Sequence, residues 1–277
     1  MEAEKSGRQF PRGNDVPTQS PRYWAKEKDR YIRQLLITDI EVLTQRRLVV
    51  CFSRLDESIN ETDADDLSEI LEGIKTPEVD LMLHTPGGYV DSVEKFVTVI
   101  KYRKPDYRVI IPSVAKSGGT LIALASKKIL LGVNSELGPV DPQIYLPDFG
   151  SVAAEYVAMD DSLPKIYSQT AQAMFIRAQN LAEKYLREGM MSDEKEPLIA
   201  GALAKLCSAS GYGSHGAVID HREAQALGLD VEWLPPEEDL WRRIWLLHCL
   251  YDADSQRDGL GKIFEGAAYS LSRRATS

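Results

Sequence analysis

Four short runs of nearly unbroken apolar residues, at 48–53 (LVVCFS), 79–84 (VDLMLH), 108–112 (RVIIP) and 128–132 (KILLG), constrain the fold of this chain most strongly. A strand with one wet face alternates apolar and polar residues, whereas these runs suit strands covered on both faces. Three helical stretches separate them. The first, 64–74, has apolar residues at 67, 70, 71 and 74; the second, 92–103, carries Val93, Phe96, Val97 and Ile100; the third, 118–125, is short and apolar. The order β-α-β-α-β-α-β predicts an α/β fold with a largely parallel sheet and right-handed crossovers, whose ligands sit beyond the carboxyl ends of the strands.

Downstream the chain turns helical, over 164–188 and 193–206, followed by the small-residue segment SASGYGSHG. Asp220 and Glu223 have capping-box spacing and open a further helix that Gly228 closes. The segment DVEWL then returns as a strand, and 237–251 forms a last amphipathic helix. These readings place one α/β domain over residues 22–254. Residues 1–21 and 255–277 lack an apolar period and are expected to be flexible arms.

The balance of charge narrows the partners. Forty-two acidic residues outnumber 33 Lys and Arg, a formal charge of −9, and no basic cluster offsets it, so nucleic acid is not an expected partner. Cys51, Cys207 and Cys249 are far apart and odd in number, which suits a reducing, cytoplasmic setting better than a disulfide framework. No stretch is long and apolar enough to predict a membrane span, and no phosphate-loop or dinucleotide fingerprint is present.

Two glycine turns carry the chemical signal. Thr85–Pro86–Gly87–Gly88 follows the second predicted strand directly and precedes a helix. Adjacent glycines there allow positive φ, so backbone amides can turn toward an anionic oxygen beside a helix N-terminus. The second turn, Lys116–Ser117–Gly118–Gly119–Thr120, follows the third strand in the same way, 29 residues after Gly88 (88 to 117). Ser117 would stand accessible at a helix start, with the Gly118 amide and the Gly87–Gly88 turn as donors to a developing oxyanion. Taken singly, the first turn reads better as a plain tight turn, and Ser117 also suits an N-cap, a routine role for serine.

With LMLHTPGG, IIPSVAKSGGTLIALASKKILLG and NSELGPVDPQ in view, the chain resembles the serine dehydrogenase proteinase family of the Clp protease and crotonase fold group, related to signal peptide peptidase A. The resemblance covers residues 80–143 closely and 31–78 and 215–234 more faintly. It implies a repeated β-β-α superhelix with a largely parallel sheet and a helical C-terminal part. It further implies Ser117 as nucleophile, Gly87 or Gly88 with Gly118 as oxyanion donors, and residues 135–143 as a substrate-groove segment. Gly118 stands where the family usually has Ala, and Lys116 at a position often apolar.

A serine hydroxyl needs a base. Similarity to the signal peptide peptidase group points first to Lys165, 48 residues after Ser117, which must be neutral to act. His215, in a Gly-Ser-His-Gly loop, is the runner-up; the Clp-type order has its histidine soon after the nucleophile helix, and residues 136–141 contain none. Asp141 reads as a structural acceptor in a turn or as a groove residue. The leading expectation is a soluble serine peptidase acting on peptides or unfolded protein, without metal or cofactor, assembled as a homo-oligomer. An acyl-CoA enzyme of the crotonase type and a non-catalytic scaffold of the same fold remain as alternatives.

Overall fold

The computed structural model describes residues 20–192 and 196–276. In chain order the first elements are α1 (Pro21–Lys26), α2 (Lys28–Thr44), β1 (Arg47–Ser53), α3 (Asp63–Glu72), β2 (Glu78–His84) and α4 (Val90–Arg103). There follow β3 (Asp106–Ile111), β4 (Val114–Ala115), α5 (Gly118–Leu124), β5 (Ile129–Leu131), β6 (Glu136–Leu137), β7 (Gln143–Leu146) and β8 (Gly150–Ala153). The rest comprises α6 (Ala154–Met159), α7 (Lys165–Glu188), α8 (Glu196–Cys207), α9 (Ala209–Tyr212), α10 (His221–Ala226), β9 (Val231–Trp233), α11 (Asp239–Asp258), β10 (Leu260–Gly266) and β11 (Ser270–Arg274).

The main sheet has the order β11-β10-β1-β2-β3-β5-β9, and the five strands from β1 to β9 run parallel. The four runs read as doubly covered strands lie at its centre. Register explains why both faces must be apolar: Val50, Met82, Ile110 and Leu130 stand side by side, facing α2 and α11. Their neighbours Val49, Leu81, Val109 and Ile129 form the opposite row, packed with residues of α3, α4, α5, α7 and α8. A strand alternates its side chains, so helices on both faces require apolar residues at successive positions.

Beyond the carboxyl ends of these strands the chain forms a second, shorter tier of backbone pairing. Ile59 bridges Gly88, Thr85 bridges Ala115, β4 pairs with β6, and Leu137 bridges Ile219. Strands β1, β2 and β3 thus each continue into a brief rim segment before the next helix, the β-β-α step expected from the resemblance, and β5 continues into β6. The rim stacks side by side the segments that follow β1, β2, β3 and β5, together with the one that precedes α10.

The C-terminal arm expected from residue 255 does not exist as such. Helix α11 continues to Asp258, and β10 and β11 extend the sheet as an antiparallel edge against β1. The charges in GKIFEG have the look of a solvated tail in sequence, yet both are paired inside the protein. Lys262 meets the Asp63 carboxylate at 2.6 Å and the Ser58 carbonyl at 2.7 Å. Glu265, fully buried, accepts from Arg33 at 2.8 Å and from the Tyr251 hydroxyl at 2.6 Å, and Arg33 also reaches Asp254. Burial of such charges is tolerated only with partners of this kind. Of the N-terminal arm expected over 1–21, residues 1–19 lie outside the described residues; Ser20 caps α1 by accepting from the Tyr23 amide. Residues 193–195, the expected start of a helix, also lie outside them, and that helix is seen from Glu196.

Candidate active site

Ser117 ends the rim segment that follows β3 and adopts φ 52° and ψ −115°, an unusual conformation for a residue with a Cβ. The surrounding bonds hold it there. The Lys116 amide donates to the Thr85 carbonyl at 3.2 Å, the Gly119 amide to the Lys116 carbonyl at 2.7 Å, and the Leu121 amide to the Ser117 carbonyl at 3.2 Å. The Ser117 side chain makes no N-cap bond, so its hydroxyl is not spent on its own helix.

The preceding glycine turn lies directly against this elbow. Gly87 has φ +102°, and a Cβ built on it would stand 2.7 Å from the Lys116 carbonyl oxygen and 2.8 Å from the Gly118 nitrogen. A Cβ on Gly88 would strike the Ile59 backbone, and one on Gly118 would come within 3.2 Å of the Gly88 nitrogen. Two backbones approach here as only glycine permits. The amides then divide by use. The Gly87 N–H donates to Thr85 Oγ1 at 3.1 Å, whereas among the described residues the N–H groups of Gly88 and Gly118 have no acceptor. Gly88, Ser117 and Gly118 all line one cavity of about 330 Å³.

His215 lines the same cavity, although it lies in the loop before α10, far along the chain. Its Nδ1 is 2.8 Å from Oδ1 of Asp141. Asp141 is buried, and its other oxygen accepts from Gln143 Nε2 at 2.7 Å. An ionised carboxylate only accepts, so Nδ1 is the donor in this pairing, and in the neutral ring Nε2 is then the nitrogen able to accept. The rim explains the convergence. Leu137 and Ile219 exchange backbone hydrogen bonds at 3.0 Å in each direction, which sets the His215 loop beside the segment leading to Asp141. Thr120 Oγ1 ties that segment to α5, donating to the Gly138 carbonyl at 2.8 Å. The remaining walls are largely apolar: Val90, Leu121, Val140, Pro142, Met174 and Ala178.

Of the residues singled out from sequence, Ser117, Gly88, Gly118 and His215 meet at this cavity, and Gly87 supports it from behind. Lys165 is exposed at the start of α7 and is not among the cavity's lining residues. Nothing in the sequence points to the pairing of Asp141 with His215; the Asp-Pro-Gln stretch that supplies Asp141 and Gln143 has there the marks only of a turn or a groove segment. Of the other histidines, His84 stacks on Phe52 and bonds the Ser53 carbonyl, and His221 stacks on Trp233.

A family model described as ClpP-like SDH-type serine proteinase matches residues 55–256. Two uncharacterized proteins of Methanocaldococcus jannaschii are 37% and 33% identical to the chain over 182 and 183 residues, 63% of this chain in each case. The matches span 62% and 60% of those relatives' own lengths. Among solved structures, a ClpP1 mutant from Listeria monocytogenes aligns over 72% of this chain and 98% of its own, with a TM-score of 0.43 and 17% identity. Among the described residues no helix is long and apolar enough to cross a membrane. The match over residues 55–256 identifies the chain as a member of the ClpP-like SDH-type serine proteinase family.

Proposed function

We propose that the protein is a serine peptidase with Ser117 as nucleophile, His215 as general base and Asp141 as the group that orients the imidazole. One observation carries the reading: His215 shares a cavity with Ser117 while its Nδ1 is held by the buried Asp141 carboxylate at 2.8 Å. As Ser117 Oγ bonds to the scissile carbonyl carbon, its proton passes to Nε2 of His215. The carbonyl oxygen becomes an oxyanion that accepts from the unpaired amides of Gly88 and Gly118. Collapse breaks the C–N bond, and Nε2 returns the proton to the leaving amine. Water repeats the sequence to release the acyl group and regenerate the hydroxyl. The positive φ of Ser117 is the kind of strain that a rigid elbow holds in order to present a hydroxyl.

His215 is preferred to Lys165 as base because a lysine would have to reach the hydroxyl neutral, and Lys165 stands exposed outside the cavity. The apolar walls formed by Val90, Leu121, Met174 and Ala178 suit an apolar substrate side chain next to the scissile bond. Self-association belongs to the same proposal: Tyr156, Met159, Ile166 and Ile176 leave large apolar area exposed on α6 and α7, a surface that a second copy of the chain would cover.

A fluorophosphonate probe tests the assignment. Wild type should be labelled, Ser117→Ala should not, His215→Ala should react far more slowly, and Lys165→Ala should keep the wild-type rate. Labelling of Ser117→Ala equal to wild type would remove Ser117 as nucleophile. Tight coenzyme A binding without any labelling would favour the acyl-CoA reading instead.

A further inference from the structure

Lys116 precedes the nucleophile, yet its side chain runs away from the cavity. The stem passes over Gly138, where an added Cβ would collide with Lys116 Cδ. The ammonium then sits between β6 and the Gly216–Ala217 stretch of the loop before α10. It donates to the Ala217 carbonyl at 2.7 Å and to the Gly216 and Leu137 carbonyls at 3.3 Å each, and it lies 3.1 Å from Glu136 Oε1. Three carbonyls and a carboxylate converge on one cation, largely shielded from water by its surroundings. Gly216 and Ala217 are the two residues directly after His215.

The loop that carries His215 is pinned at its two ends, by the Gly213 amide on the Ala209 carbonyl at 2.9 Å and by the Leu137–Ile219 pair, and between them it has few ties. Gly213, Ser214 and Gly216 are exposed, and Gly213 has φ +70°. Within the loop the Ala217 amide bonds the Ser214 carbonyl at 3.1 Å, and the Gly216 amide bonds Ser214 Oγ at 3.2 Å; both bonds are internal to the turn. Between those ends, among the described residues, the ties from the loop to the rest of the protein are the imidazole's own bond to Asp141 and the Lys116 ammonium.

We propose that Lys116 is a positioning residue for the base: its ammonium clamps the Gly216–Ala217 backbone to the strand that leads into Ser117, and so sets the height of the His215 ring over the hydroxyl. The proposal rests on His215 being the base. A single side chain spanning 101 residues of sequence couples the nucleophile's strand to the base's loop. Lys116 touches no reacting atom; it acts through His215.

A double-mutant cycle on the full chain tests this, reading the second-order rate constant of fluorophosphonate labelling for wild type, Lys116→Met, His215→Ala and the double variant. Because a displacement of about 1 Å can cost on the order of 100-fold, Lys116→Met should slow labelling roughly 10- to 100-fold when His215 is present. In the His215→Ala background the same change should alter the rate by less than about 2-fold, since the group it positions is gone. Equal slowing in both backgrounds, which general damage to the fold would produce, overturns the proposal, as does an unchanged rate in Lys116→Met. Should Lys116→Met fail to fold, Lys116→Gln, which keeps one N–H donor, takes its place in the cycle. Hydrogen exchange adds a readout independent of catalysis: the amides of residues 214–217 should exchange faster in the variant while those of β1, β2 and β3 keep their protection, and unchanged exchange in the loop counts against the clamp. Undiminished labelling of Ser117→Ala would show that the peptidase assignment itself is wrong, and wild-type labelling of His215→Ala that the base is; either result removes the role of Lys116 as well. Ser117-dependent, His215-dependent labelling with no effect of Lys116 defeats the clamp alone.

Discussion

Replacing Asp141 by Asn preserves volume and removes one charge, which makes it a sharp probe of the proposed base. In the native arrangement both carboxylate oxygens are in use, Oδ1 by His215 and Oδ2 by Gln143 Nε2. An asparagine has only one oxygen to offer. If Gln143 keeps it, the new NH2 faces His215 Nδ1, which must then accept. The ring proton moves to Nε2, and the ring can no longer take a proton from Ser117. If the amide turns the other way, the bond to Gln143 is lost, at a net cost of about 1 kcal/mol. The lost charge adds to this. Opposite unit charges 4 Å apart attract by about 4 kcal/mol at an effective dielectric constant near 20, and the side chain of His215 is 33% exposed, so about half that is a fair share of transition-state stabilisation. Together these terms predict a fall in kcat of about 100-fold. The assay is steady-state hydrolysis of an activated ester or a peptide with an apolar residue before the scissile bond, after circular dichroism shows that the variant is folded. Adding Gln143→Leu to Asp141→Asn removes the competing donor and should restore roughly fivefold. A loss smaller than about 3-fold in Asp141→Asn would refute the assignment of Asp141 as the orienting group.

Gly87→Ala should lose about 2 kcal/mol or more of stability in urea unfolding and also slow labelling, because φ +102° is strained for alanine and its Cβ would press on the backbone of residues 116 and 118. A variant of native stability and rate would mean that the two turns do not pack as described. His248 supplies a pH test. Its ring is buried, its Nδ1 has no partner among the described residues, and its pKa is pushed down to about 4, first by burial and then by His84. The unfolded chain takes up this proton near pH 6.5 and the folded chain only near 4, so the His248 contribution to stability is intact above about 6.5 and is lost as pH falls toward 4, roughly 3 kcal/mol in all. His248→Leu should therefore lose less stability than wild type between pH 7 and pH 4, on a scale of about 3 kcal/mol; equal losses would contradict the buried neutral state. Light scattering at micromolar protein should return a multiple of the monomer mass of 31.0 kDa, and the monomer mass itself would count against self-association through α6 and α7.

What could be read along the chain was what local periodicity and local chemistry dictate. Four apolar runs between amphipathic stretches specify a doubly covered parallel sheet, and TPGG and SGGT mark two strand-end elbows, the second of which carries Ser117, the proposed nucleophile. Those features depend on neighbours a few residues away, so they leave a trace in the sequence. Strand β10 left a misleading one: Lys262 and Glu265 look like solvent signals until Asp63 and Arg33 are seen opposite them, both distant in sequence. The same limit governs the base. Lys165 and His215 were both compatible with the spacing, and no periodic pattern links position 215 to position 141, 74 residues away. Only the rim of short backbone bridges, by holding Leu137 against Ile219, brings the imidazole to the cavity of the elbow serine and the buried carboxylate against the imidazole. Hydrophobic patterning determines which faces are buried, but a polar site assembled from three loops depends on where those loops are pinned in space, and that is decided by long-range hydrogen bonds that sequence does not display.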